Sequence, residues 1–250
     1  MAGSGLGIHI FGRSGEMTAF LVQRWLETAK EAIKRKGVFS AALSGGATPS
    51  GFYRGLAILK GDAVWDDTHI FPVDERFVPR ADKDSNIGMM DSLFLKHVDL
   101  AAENVHPVMA DAPSPSVAAD LYEQELRRFF GLSGTELPQF DLICLGIGED
   151  GHTASLFPGV PEAEAPMVFE KVRLAVSVVH GNVKHARISL TLPVISNARN
   201  VIFIVAGRNK AAIVKRVVGD RDQGFPASRV ELTNGRLIFV LDSEAASMLD

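Results

Sequence analysis

His152 stands two residues after Asp150 in the segment Gly146-Ile-Gly-Glu-Asp-Gly-His-Thr-Ala-Ser-Leu-Phe-Pro158. An imidazole beside a carboxylate in a glycine-rich turn is equipped to move a proton, with the ring as general base and the acid as its orienting partner. The competing account is a structural histidine next to a solvated acid. Val73-Asp74-Glu75-Arg76-Phe77-Val78-Pro79 sets three charges at the end of an apolar run, and strand alternation puts Asp74 and Arg76 on one side. They read either as a solvated strand end or as a charged pair aimed into a cleft. Ser44-Gly45-Gly46-Ala47-Thr48-Pro49 lies between a strand and a helix. Its glycines let the backbone approach a ligand, and the helix start that follows suits a phosphate. The same stretch also reads as a plain tight turn. Arg187 opens an apolar run, and Lys210 falls in the first turn of a helix, where a cation is unfavourable unless an anion is held nearby.

Other chemistries are excluded by what surrounds these residues. Gly146–Gly151 matches G-x-G-x-x-G, but Glu149 and Asp150 would repel a pyrophosphate and Pro158 interrupts the helix that should follow. The glycine loop at Ser44 lacks the Gly-Lys-Ser/Thr ending of a P-loop. No H-E-x-x-H is present and the single cysteine, Cys144, permits no C-x-x-C, so nothing calls for zinc. The remaining six histidines lie in weaker contexts; His180 and His185 bracket a turn without further ligands at metal-site spacing. No G-x-S-x-G elbow offers a nucleophile, which favours attack by water.

The elements that must position these groups alternate along the chain. Strands are expected at Ile8–Phe11, Val38–Leu43, Thr68–Val73, Phe140–Leu145, Val172–Val179, Arg187–Leu192, Asn200–Ala206 and Leu237–Leu241. Helices are expected over Ser14–Lys36, Pro49–Leu59, Ser85–His97, Ser114–Phe130, Asn209–Val218 and Ser243–Leu249. Near-continuous apolar strands between helices predict an α/β fold with a mostly parallel central sheet and helices on both faces, a Rossmann-like arrangement. Ligands in such sheets bind beyond the carboxyl ends of the strands. Four of the singled-out segments follow strands, so one shared site is expected.

The chain has 250 residues, and no linker-like stretch divides it, so residues 1–250 read as one domain. There are 26 Lys+Arg against 30 Asp+Glu, a net charge of −4, and no broad basic footprint for nucleic acid. Lone Cys144 fits a reducing compartment. The N-terminus carries no secretory signal, and runs such as Val201–Ala206 are far short of the roughly 20 residues a membrane helix needs. The expectation is a cytoplasmic protein whose oligomeric state is open and compatible with a monomer.

Taken in order, Ser44-Gly-Gly-Ala-Thr-Pro49, Asp74-Glu-Arg-Phe-Val-Pro79 with Asp84-Ser85-Asn86, Gly146–Pro158 and Arg187-Ile-Ser-Leu-Thr191 resemble the glucosamine-6-phosphate isomerase/6-phosphogluconolactonase family, on its lactonase side. Ala47 stands where the family often has Ser. Arg76 stands where the sister deaminases typically have Tyr, and the run after His152 also differs from theirs. The resemblance implies a single α/β domain related to isomerase and CoA transferase-like folds. It also implies hydrolysis of 6-phospho-D-glucono-1,5-lactone to 6-phosphogluconate in the oxidative pentose phosphate pathway, without cofactor or metal. On that reading His152 activates water with Asp150 or Asp74 as its partner, and Arg76 steadies the developing oxyanion. Ser44, Gly45, Gly46, Thr48, Arg187 and Lys210 hold the phosphate. A sugar-phosphate isomerase/deaminase, or a non-catalytic sugar-phosphate sensor, is the alternative.

Overall fold

The computed structural model describes residues 5–160, 167–168, 171–179, 181 and 183–249. The elements in chain order are β1 (Gly5–Phe11), α1 (Ser14–Lys36), β2 (Phe39–Leu43), α2 (Ser50–Ala57), β3 (Thr68–Pro72), β4 (Asp74–Arg76), α3 (Asn86–Leu93) and α4 (Pro115–Phe130). They continue with β5 (Leu142–Leu145), β6 (Met167–Val168), β7 (Lys171–Val172), β8 (Ala175–Val178), β9 (Arg187–Leu190), α5 (Leu192–Ser196), β10 (Asn200–Val205), α6 (Ala211–Val214) and β11 (Arg236–Asp242). His180 lies outside the described residues.

Local chemistry explains where the helices begin and stop. The 23 residues of α1 present Leu21, Trp25, Ala29 and Ala32 on one buried stripe. The helix ends in Lys34, Arg35 and Lys36, which complement its negative end, and Gly37 at φ 76 closes it. Ser114 caps α4 by accepting from Val117 N, Pro115 opens it, and Gly131 at φ 64 ends it.

The main sheet has six strands in the order β1-β11-β10-β5-β2-β3, every pair parallel. Residues alternate between two cores. Ala41 and Leu43 of β2 face α1, α2 and α3, alongside Trp25, Tyr53 and Trp65. Ala42 faces the side of α4, α5 and α6, with Phe71, Tyr122, Phe140 and Phe203. Strands buried on both faces are largely apolar, which is why they read as near-continuous runs, with the buried hydroxyl of Ser40 held by Asp141.

Several expectations need correction. Val172–Val179 and Arg187–Leu192 do not join the parallel sheet; β8 and β9 pair antiparallel with each other, and β9 with β4. Asp74–Arg76 is therefore a separate strand of the small sheet rather than the charged end of the Thr68–Val73 strand. The switch between sheets is Val73, whose N–H donates to Leu43 O of the large sheet and whose carbonyl accepts from Leu190 N of the small one. Ser243–Leu249 forms consecutive turns instead of a helix, with Asp242 Oδ1 taking Ala245 N. The expected helices Ser85–His97 and Asn209–Val218 are also interrupted. The first breaks after Leu93 into a 3-10 turn, and the second runs through 3-10, α and π geometry.

Candidate active site

A cleft of about 250 Å³ opens at the carboxyl ends of β2, β5 and β10. Its walls are Ser44–Pro49 after β2, Asp74 and Arg76 on β4, Asn86 at the start of α3, Gly146–Gly148 and His152 after β5, Arg187 on β9, and Lys210 after β10. All the singled-out residues meet here except Asp150, which stands behind His152.

The loop after β5 is shaped by short-range bonds. Gly148 N donates to His152 O at 2.8 Å, Gly151 N donates to Gly148 O at 3.0 Å, and Thr153 Oγ1 ties back to Gly146 O at 2.9 Å. Gly151 turns at φ 81, against Phe225. In this turn Asp150 Oδ1 lies 2.5 Å from His152 Nδ1. The carboxylate occupies Nδ1, so Nε2 is left to take a proton. Hydrogen bonding to His152 pulls the Asp150 carboxyl down to about 2, so it stays charged at any ordinary pH. The His152 ring packs 4.6 Å from the Phe157 ring, centroid to centroid.

The two acids are separated by their contacts. Asp74 makes no hydrogen bond to His152; its Oδ2 accepts from Ser155 Oγ at 2.6 Å and lies 3.7 Å from Arg187 Nη1. Glu75 points the other way. Its buried carboxylate accepts from Asn86 N and Ile87 N, the first free donors of α3, at 2.7 and 2.8 Å. Burial pushes the Glu75 carboxyl up, and those backbone donors oppose the shift. Alternation divides β4: Asp74 and Arg76 line the cleft, the second of the two alternatives the sequence leaves open, while Glu75 caps a helix.

Arg76 and Arg187 are direct partners across the β4–β9 pair. Arg76 is anchored by Nη1 on Asp84 O at 2.7 Å. The Nε atoms of both arginines are buried without a hydrogen-bond partner among the described residues. Like charges opposite one another on a sheet are unfavourable, and burial pulls the Arg187 guanidinium down. An anionic group between them would satisfy both. Lys210 makes no ion pair among the described residues and faces the same cleft. One predicted donor is already engaged: Ser44 Oγ donates to Cys144 O at 2.8 Å, and its carbonyl accepts from Tyr53 Oη at 2.5 Å. Ser44 shapes the loop, and its hydroxyl hydrogen is not available to a ligand. Thr48 has no such engagement among the described residues.

Asn86 and Ser155 were not singled out by sequence, though both sit in the quoted segments. Ser155 was recoverable only through the pairing that brings its hydroxyl to Asp74. Asn86 carried one signal, its place directly after the helix-capping Ser85. Among the described residues no group of three or more His, Cys, Asp or Glu side chains is disposed to hold a metal.

A parallel α/β sheet with three cations, a glycine loop and a His–Asp pair at its carboxyl edge defines an α/β protein with a cleft for a small anionic ligand. The family description "Glucosamine-6-phosphate isomerases/6-phosphogluconolactonase" matches residues 13–239, and the chain belongs to that family. It is 40% identical over 220 residues to a 6-phosphogluconolactonase of Nostoc sp., covering 87% of this chain and 88% of that one. It is 32% identical to a human 6-phosphogluconolactonase, covering 97% of this chain and 93% of the relative. The structure of 6-phosphogluconolactonase from Trypanosoma brucei superposes with a TM-score of 0.84 at 26% identity, covering 99% of this chain and all of that one.

Proposed function

We propose that the chain is a carboxylic ester hydrolase that opens 6-phospho-D-glucono-1,5-lactone to 6-phospho-D-gluconate, in the oxidative pentose phosphate pathway. The observation that carries the reading is the His152–Asp150 pair at 2.5 Å, facing a cleft that also holds Arg76, Arg187 and Lys210. Full-length similarity to proteins of that name supports it.

In the mechanism, His152 Nε2 removes a proton from water as the oxygen attacks the lactone carbonyl carbon. Asp150 holds the ring by Nδ1 and stabilises the imidazolium that forms, without taking the proton itself. The carbonyl oxygen becomes an oxyanion, and the Arg76 guanidinium offsets its charge. Collapse of this intermediate breaks the bond to the ring oxygen, which leaves as an alkoxide and takes the proton back from His152. Gly45, Gly46 and Thr48 cradle the phosphate, with Arg187 and Lys210 supplying charge. Asp74 sets Arg187 in place. Every electron pair and proton is accounted for by water, substrate and these side chains, so the chemistry calls for no cofactor.

The remaining parts of the reading are that residues 1–250 act as one domain in the cytoplasm, on a soluble sugar-phosphate lactone, without nucleic acid or membrane. No helix among the described residues is long and apolar enough to cross a membrane. The test is a pH-stat assay of acid release from fresh lactone, corrected for spontaneous hydrolysis, beside an ammonia assay with glucosamine 6-phosphate. Acid release is expected with wild type, falling by about 10²–10⁴ in His152→Ala with the fold intact. Ammonia release without lactonase activity would replace the reading with a deaminase.

A further inference from the structure

Asn86 is 2% exposed, yet part of it reaches the wall of the cleft. It is tied to β4 twice. Its backbone N–H donates to Glu75 Oε1 at 2.7 Å, and its Nδ2 donates to Asp74 O at 2.8 Å. The carboxamide cannot swing away without breaking its buried bond to the Asp74 backbone carbonyl, and a buried carbonyl left without a donor is costly. Its other side is pressed against the glycine loop. A Cβ added to Gly45 would fall 1.8 Å from Asn86 Oδ1, 2.2 Å from Cγ and 2.8 Å from Nδ2. Gly45 does not have a positive φ, so its backbone would accept alanine; Asn86 supplies the contact that forbids it.

We infer that Asn86 is a positioning residue that sets the distance between the loop cradling the phosphate and the strand carrying Asp74 and Arg76. The inference rests on the proposed function. A six-membered lactone holds its carbonyl and its phosphate arm at a limited range of separations. The protein must match that separation, because a misplacement of about 1 Å costs about a hundredfold in rate. The two elements come from different strands, β2 and β4, and the carboxamide of Asn86 meets both, by its hydrogen bond to Asp74 O and by close packing against Gly45. Removing it leaves the phosphate loop intact but lets the loop approach the strand.

The test separates positioning from phosphate binding. kcat/KM on the lactone and the inhibition constant of inorganic phosphate are measured for wild type, Asn86→Ala, Gly45→Ala and the double variant, with circular dichroism as the fold check. Asn86→Ala should lower kcat/KM at least tenfold more than it weakens phosphate. Gly45→Ala should cost at least tenfold alone but less than threefold in the Asn86→Ala background, because the atoms its Cβ strikes are then gone. Losses of kcat/KM and phosphate affinity in proportion, or additive effects of the two substitutions, would overturn the inference. Should Asn86→Ala not fold, Asn86→Ser is read by the same criterion. Phosphate that does not compete with the lactone in wild type would sink the phosphate cradle of the proposed function, and the positioning role with it.

Discussion

Gly148 shows how much of the candidate chemistry hangs on one missing methyl group. A Cβ there would lie 2.1 Å from His152 Nδ1 and 2.5 Å from Asp150 Oδ1. Its φ is not positive, so alanine brings no backbone strain and acts only by forcing the ring and the carboxylate apart. Gly148→Ala is therefore expected to lower kcat by at least about tenfold, the low end of what misplaced proton transfer costs, while the melting temperature moves little. Steady-state kinetics beside a thermal melt check this. A variant with wild-type kcat would show that the Nδ1 contact is not needed. From sequence this segment reads only as a glycine-rich turn that presents Asp150 and His152. The structure gives Gly148 a specific reason, room for the contact between Asp150 Oδ1 and His152 Nδ1.

At the scale of elements, β3 is held at the edge of the main sheet by titratable groups. His69 Nδ1 on β3 lies 3.0 Å from His106 Nε2, and His106 Nδ1 lies 2.6 Å from Glu125 Oε1 on α4. The His106 ring stacks on Phe71 at 4.1 Å. Burial pulls both histidines below their ordinary value; the Glu125 contact opposes this for His106, and the neighbouring His106 adds to it for His69. The folded chain therefore keeps both rings neutral where the unfolded chain, with histidine near 6.5, takes up protons. Their contribution to stability is full above about pH 6.5 and declines as pH falls below it. The melting temperature should drop between pH 7.5 and pH 5, and by less in His106→Gln, which starts lower but has lost one of the titrating rings. Parallel curves for the two proteins would remove these histidines from the account.

At the scale of the whole molecule, the proposed phosphate cradle draws on the loop after β2, on β9 and on the turn after β10, the first lying well over a hundred residues from the other two. Such a cradle contributes remote binding energy, which positions the lactone and appears in kcat/KM. Charge-assisted contacts are worth about 1.5–3 kcal/mol each, so a lactone without its phosphate should be at least about a hundredfold poorer. Lys210→Ala should weaken turnover of the phosphorylated lactone and hardly touch the residual turnover of glucono-1,5-lactone. Arg187→Ala follows the same rule if it serves the phosphate. Equal losses on both substrates would move Arg187 to the reacting carbonyl beside Arg76, its cross-strand partner.

Much of this protein was legible from residue type and order. The near-continuous apolar runs of β2, β5 and β10 pointed to the doubly covered parallel sheet, because a strand buried on both faces has few polar positions to spare; Ser40 of β2 fills one by bonding Asp141. Gly37 and Gly131 marked helix ends, since each adopts a positive φ there. The segments at Ser44, Asp74, Gly146 and Arg187 named nearly every residue of the cleft. Tertiary structure alone decided what those residues face. The small antiparallel sheet was not legible, because the pairing of β4 with β9 joins residues more than a hundred apart and period-two alternation says nothing of a partner. That pairing sets Arg76 against Arg187 and brings Ser155 to Asp74. The choice between Asp74 and Asp150 as the support of His152 likewise turns on a distance that no spacing encodes. Local pattern fixes which way a side chain can point; only the packed chain determines what is waiting there.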